Sequence, residues 1–253
     1  MVGVYYSYKW RPILSPANEL PSYSANASID DTIRIIMIGD SWAVWQSIYI
    51  SDSSMSDLIC KFTNKPVIFK SKGRGWAKTK EIYNMMFEES CSELNYCTQS
   101  LLEEAPDYCI VIAGINDAFA NVGSFNYCTN YHFIINHLLA LGIRPVIIEI
   151  PDVNLSGVFE KLPIKEKLCS IYRSFLTRSS LHDVCEYRED LLTYLKNTRL
   201  FDSVIYINKN KWNPIGYQDS ALYRNDFLHL NKNGYLKLDS CIISEISNDY
   251  NSR

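Results

Sequence analysis

Hydrophobic, mostly β-branched positions gather into five short runs: IRIIMI at 33–38, PVIFK at 66–70, YCIVIA at 108–113, PVIIEI at 145–150 and SVIYI at 203–207. Runs this short, apolar on both alternating faces, predict strands buried on both sides of a sheet. Longer stretches between them change period. Residues 77–89 and 91–104 carry apolar positions three and four apart, 126–141 does so until Gly142, where a helix C-cap is expected, and 234–248 predicts a closing helix. Strand–helix alternation predicts a parallel sheet with right-handed crossovers between helical layers, a three-layer α/β/α sandwich with a five-stranded parallel sheet. Residues 151–202 are polar and helix-rich, longer than one crossover needs, and predict an excursion over a sheet edge or the mouth of a site. They belong to a single domain over 31–253. Residues 1–30, with Pro12, Pro16 and Pro21 among serines and asparagines, predict an arm on the surface.

Composition narrows the partners. A chain of 253 residues, 47% hydrophobic, can bury one full-sized core. Its net charge of -3, with no block of five like charges, gives no global attraction to nucleic acid or to an anionic bilayer. No nucleic-acid partner is expected, nor membrane association of the chain as it stands. The eight cysteines (Cys60, Cys91, Cys97, Cys109, Cys128, Cys169, Cys185, Cys241) form no C-x-x-C pair, so neither a zinc site nor a disulfide scaffold is expected. Scattered thiols suit a reducing compartment. The apolar stretch in MVGVYYSYKWRPIL is short for a signal core, and its basic residues follow instead of leading. A cytoplasmic reading follows from that. An exported or anchored form stays open, because VGVYYSYKWR also suits the flank of an anchor.

Ligand sites in such sheets lie outside the carboxyl ends of the strands. Four polar segments fall there. Gly39, Asp40 and Ser41 end the first strand and open a helix; SKGRGWAKT follows the second strand and AGINDAF the third; YRNDFLHLNKNGY precedes the last helix, with Asp226 three residues ahead of His229. A serine hydroxyl is a weak nucleophile until a base takes its proton, and imidazole, with an ordinary pKa of about 6.5, is suited to that task. Asp226 is placed to orient the His229 ring. Ser41 N–H, Gly75 N–H and the Asn116 amide are candidate donors to a developing oxyanion. Other polar residues read as structural. Asp40 is expected to cap the helix and Asp117 to do similarly, His132 and His137 to pack or face solvent, and Trp45 to be a core aromatic.

The segments IGDSWA, KGRGW, AGIND and DFLHLN resemble, in order and spacing, the four blocks that name the SGNH hydrolase family, also called GDSL esterases. The resemblance runs from about residue 33 to about 247. It implies a flavodoxin-like fold, a Ser41–His229–Asp226 triad, an oxyanion hole from Ser41, Gly75 and Asn116, and no metal or cofactor. In an alternative register Trp76 replaces Gly75, donating through its backbone while its indole walls the pocket. Trp42 stands where the family name has leucine, and its bulk narrows the acyl pocket. The implied function is a serine esterase with an acyl-enzyme on Ser41, acting on short-chain, O-acetyl esters of carbohydrate, since the acyl pocket beside Trp42 and Trp76 is narrow and the 18 tyrosines offer faces on which sugar rings can stack. An O-acyltransferase using the same triad is the alternative, and a non-catalytic glycan-binding module a further one.

Overall fold

A computed structural model of the chain describes residues 31–87 and 97–252. The predicted arm at 1–30 and the parts of two predicted helices at 88–96 lie outside the described residues. In chain order the elements are β1 (Ile33–Gly39), α1 (Ser41–Tyr49), α2 (Asp52–Thr63), β2 (Val67–Gly73), α3 (Thr79–Met85), α4 (Gln99–Leu102), β3 (Tyr108–Ile112), α5 (Ile115–Phe119), α6 (Ser124–Ala140), β4 (Arg144–Ile148), α7 (Leu155–Glu160), α8 (Ile164–Thr177), α9 (Val184–Asn197), β5 (Ile205–Ile207) and α10 (Lys232–Asn251).

The five strands are those the apolar runs predict, all parallel, in the order β2-β1-β3-β4-β5. β3 is buried along its whole length, and β1 everywhere but Arg34. Helices α1, α2 and α10 cover one face, and α3, α6 and α9 the other, so the fold is the predicted three-layer sandwich. Truncating a fully buried residue such as Ile110 to alanine would cost about 2–5 kcal/mol.

Two differences matter for the site. β2 runs three residues beyond the predicted 66–70, because Ser71, Lys72 and Gly73 continue its pairing with Met37, Ile38 and Gly39. Gly73 is therefore a strand residue packed against α1, where an added Cβ would lie 2.7 Å from Val44 N. Gly39 pairs with Gly73 on one side and Ile112 on the other, and a side chain there would strike the Ile112 carbonyl. These registers bring the ends of β1, β2 and β3 to one level. The chain order turns back at β1, with β2 on one side and β3 on the other, which is where a crevice opens in such sheets.

Within 151–202 the helices divide. α9 buries Val184, Tyr187, Leu191, Tyr194 and Leu195 in packing on α6, and α8 buries only Ser170.

Candidate active site

Asp40 ends β1 in extended conformation, and its Oδ1 accepts the Trp42 N–H at 2.9 Å, so it caps α1 as expected. Ser41 becomes the first helical residue, half-buried at the positive end of the helix. Its Oγ lies 2.9 Å from His229 Nε2, across 188 residues of sequence.

His229 is held by a loop that closes on itself. Tyr223 and Leu230 form an antiparallel bridge, Arg224 N–H donates to His229 O at 2.9 Å, and Asn231 caps α10 while its amide donates to Ala221 O and Tyr223 O. Asp226 organises the interior of the loop. Its Oδ1 accepts the N–H groups of Leu228 and His229, both at 2.9 Å, and its Oδ2 accepts from His229 Nδ1 at 2.9 Å. Partial burial pushes this carboxyl up, but the hydrogen bonds from His229 and Leu228 together outweigh it and hold Asp226 below the ordinary carboxylate range. With Nδ1–H committed to Asp226, Nε2 faces Ser41 as an acceptor. A hydroxyl, an imidazole and a carboxylate joined this way can move a proton off the hydroxyl.

Donors surround the same point. Ser41 N–H, Gly75 N–H and Trp76 N–H take no hydrogen-bond partner among the described residues. The turn carrying the last two is held to the end of β1 by Arg74 N–H to Gly39 O at 3.0 Å. Gly75 is exposed, and Trp76 adopts φ +65° and is 70% exposed, with its ring 6.1 Å from Phe119. The third expected donor is arranged differently. The Asn116 amide reaches the rim, but its Nδ2 donates to Ala77 O at 3.0 Å and to Asp40 Oδ2 at 3.3 Å. It fastens the Gly75–Trp76 turn to the Asp40 cap, and its longer bond is the one nearer Ser41 in sequence.

Asp117 also acts structurally, accepting Thr79 N–H at 2.9 Å and Thr79 Oγ1 at 2.7 Å at the start of α3. Burial pushes Asp117 up to about 7 against those two bonds. Asp40 is likewise lifted by burial to about 7; the Trp42 N–H pulls it down and the charge of Asp117 pushes it up.

The two tryptophans sit at different depths against the core. Trp42 is the buried one, edge-on to Trp212 and Tyr235, with its Nε1–H donating to Leu228 O at 3.1 Å. Trp45 is only half-buried, stacked on Tyr49, 6.1 Å from the His229 ring and covered by the Arg224 guanidinium at 4.0 Å. Trp42 borders a small apolar recess between the ends of β1, β3 and β4, lined also by Ile112, Ile148, Ile150, Asp40 and Glu149. Sequence reasoning passed over Glu149, the single acid in PVIIEI; it is buried and accepts from Tyr206 OH, Asn208 and Lys209 N–H. His132 bridges α6 and α9 through Tyr194 OH at 2.9 Å, away from the triad. Among the described residues no group of three or more His, Cys, Asp and Glu is set to hold a metal ion.

Solved structures share this architecture. The chain is similar to a lipase/acylhydrolase from Enterococcus faecalis at 18% identity and TM-score 0.59, over 86% of this chain and 96% of that one. It is similar to the psychrotrophic esterase EstA from Pseudoalteromonas sp., solved inhibited by monoethylphosphonate, at 14% identity and TM-score 0.57, over 88% and 100% of the two chains. A GDSL-like lipase from Bacteroides thetaiotaomicron matches at 12% identity and TM-score 0.56, over 88% and 94%. At these identities the likeness is one of fold. No protein-family model and no curated protein matches the chain.

Proposed function

We propose that this chain is a serine ester hydrolase of the SGNH kind, with Ser41 as nucleophile, His229 as general base and Asp226 as the group that orients and charges against the imidazole. The observation that carries this reading is the unbroken line from Asp226 Oδ2 through His229 to Ser41 Oγ, with 2.9 Å at each step. As Ser41 Oγ attacks the ester carbonyl, its proton passes to His229 Nε2, and the Asp226 carboxylate stabilises the imidazolium. The carbonyl oxygen, now an anion, is met by Ser41 N–H and by the open N–H groups of Gly75 and Trp76. Asn116 contributes by giving up its 3.3 Å contact with Asp40. Collapse breaks the ester C–O bond, the proton on Nε2 leaves with the alcohol, and the acyl group stays on Ser41. Water then repeats the sequence with His229 as base and frees the acid.

The substrate is a short-chain ester, with O-acetyl groups on carbohydrate as the favoured class. Two features support this: the recess lined by Asp40 and Trp42, the residues on either side of Ser41 in the chain, is small and walled by branched aliphatics, and Trp76 presents an exposed aromatic face at the rim on which a sugar ring can stack. The names of the similar structures, which are lipases, esterases and acylhydrolases, support ester chemistry and say nothing of carbohydrate.

The direct test is to incubate the protein with an activated alkylphosphonate ester and map the adduct by mass spectrometry. A single phosphonyl group on the Ser41 peptide, absent from Ser41→Ala and accompanied by loss of p-nitrophenyl acetate hydrolysis, is expected. No adduct, or an adduct elsewhere, ends the assignment. Acetylated oligosaccharides offered with an unacetylated acceptor then separate release of free acetate from transfer.

A further inference from the structure

Helix α8 is amphipathic the wrong way round. An amphipathic helix on a globular protein ordinarily turns its apolar stripe to the core. Here Ile164, Leu168, Ile171, Tyr172 and Phe175 are 75%, 62%, 50%, 63% and 78% exposed. At 100° per residue they occupy one arc about 100° wide. The side toward the protein is made of small polar groups: Ser170 is buried, Ser174 Oγ donates to Ser179 O at 2.6 Å, and Thr177 packs on Gly123. Contiguous exposed apolar surface of this kind marks a site of association.

Charge indicates the occupant. From residue 160 to 178 there are five cations (Lys161, Lys165, Lys167, Arg173, Arg178) and two carboxylates (Glu160, Glu166), a local excess of three positive charges in a chain whose net charge is -3. On the helix Lys165 borders one edge of the stripe and Lys167 the other, Arg178 follows as the C-cap, and Glu166 lies on the opposite side. Among the described residues none of Lys161, Lys165 and Arg178 pairs with a carboxylate. An apolar stripe edged by long cations whose stems can lie along it suits the plane of an anionic lipid surface, with apolar side chains among the acyl chains and cations at the phosphates. No helix among the described residues is long and apolar enough to cross a membrane.

We propose that α8 is an interfacial helix that docks the protein onto an anionic bilayer. The segment carrying it leaves the end of β4, and Asn154 N–H donates to Phe227 O in the His229 loop at 3.1 Å. The segment that leads into α8 is thus fastened to the loop that carries His229. The proposal concerns binding and stands apart from the esterase reading.

The test is sedimentation of the full chain with vesicles of phosphatidylcholine alone and of phosphatidylcholine mixed with phosphatidylserine. Wild type binds the mixed vesicles and hardly the neutral ones. Leu168→Ser with Phe175→Ser weakens that binding by about tenfold or more, and Lys165→Glu with Arg178→Glu weakens it several-fold with loss of its salt dependence. Both variants keep the wild-type circular dichroism and soluble-ester hydrolysis, because the changed residues are exposed. Equal binding to neutral and anionic vesicles, or no effect of either variant, overturns the proposal. So does absence of vesicle binding together with a dimer, seen by light scattering, that Leu168→Ser with Phe175→Ser dissociates; the stripe then belongs to a second copy. Failure on vesicles with intact Ser41-dependent hydrolysis removes the docking proposal alone.

Discussion

The indole N–H of Trp42 donates to the carbonyl oxygen of Leu228 at 3.1 Å, which ties the residue after Ser41 to the residue before His229. One buried side chain thus sets the spacing of two segments far apart in sequence. Trp42→Phe keeps an aromatic ring against Trp212 and Tyr235 and removes the donor, leaving the Leu228 carbonyl without it. A hydrogen bond of this kind is worth about 0.5–1.5 kcal/mol, so kcat for p-nitrophenyl acetate is expected to fall about three- to tenfold with little change in KM. An unchanged kcat beside a lowered melting temperature would leave Trp42 a core residue only.

Ser41→Ala and His229→Ala should each abolish hydrolysis above background without unfolding the chain, since both residues lie at the rim and neither is fully buried. Asp226→Asn is the more discriminating variant. It retains an acceptor for the loop N–H groups and loses the carboxylate that fixes the imidazole tautomer, so kcat should fall by roughly 10³–10⁴ with the melting temperature nearly preserved. Activity within tenfold of wild type would mean that the Asp226 contact only shapes the loop.

What could be read from the chain divides along a physical line. Buried parallel strands must be apolar on both faces, so IRIIMI and YCIVIA announce β1 and β3. Chemistry at strand ends follows from the architecture, and the resemblance of IGDSWA and DFLHLN to two SGNH blocks is what singles out Ser41, Asp226 and His229. Asp40 as a cap needed only local sequence. Where reading failed, the deciding fact was a contact or an orientation that no local pattern encodes. Trp42 and Trp45 are three positions apart on one helix, and which faces inward depends on how α1 sits against the sheet and on Trp212 and Tyr235, more than 160 residues on. Asn116 was legible as a rim residue, but its acceptors, Ala77 O and Asp40, were not. α2 went unassigned because only Met55, Ile59 and Thr63 are buried in an otherwise polar stretch. The stripe on α8 has ordinary helical spacing, and its outward orientation is visible only in three dimensions.

Asn116→Ala removes two tasks of one amide at once. It removes the proposed oxyanion donor, for which a loss of roughly 10²–10³ in kcat is typical, and it frees the Ala77 carbonyl that positions the Gly75–Trp76 turn. Both effects reach the transition state more than the bound ester, so kcat should drop by about 10² with a KM change of less than about threefold. A rise in KM with kcat intact would show that the amide shapes ground-state binding and donates nothing to the oxyanion.

Asp239 gives a pH test away from the chemistry. It is buried on α10 and accepts Gln46 Nε2–H at 3.2 Å on Oδ2, while among the described residues neither its Oδ1 nor Gln46 Oε1 on α1 has a partner. Burial raises its carboxyl from the ordinary 3.8 to about 7, with the Gln46 bond pulling the other way. Between those values the folded state holds a proton that the unfolded chain has released. The associated stability is therefore complete below about pH 4 and lost as pH rises through 7. Asp239→Asn keeps an acceptor for Gln46 Nε2–H, supplies an N–H for Gln46 Oε1 and cannot ionise. Its stability relative to wild type should improve as pH rises from about 4, by on the order of 3 kcal/mol between pH 5 and pH 8, read as a melting-temperature difference that grows with pH. Asp40 and Asp117 shift in the same direction but are present in both proteins and cancel in the difference. A difference that does not vary with pH would mean that Asp239 is already ionised in the folded protein throughout this range.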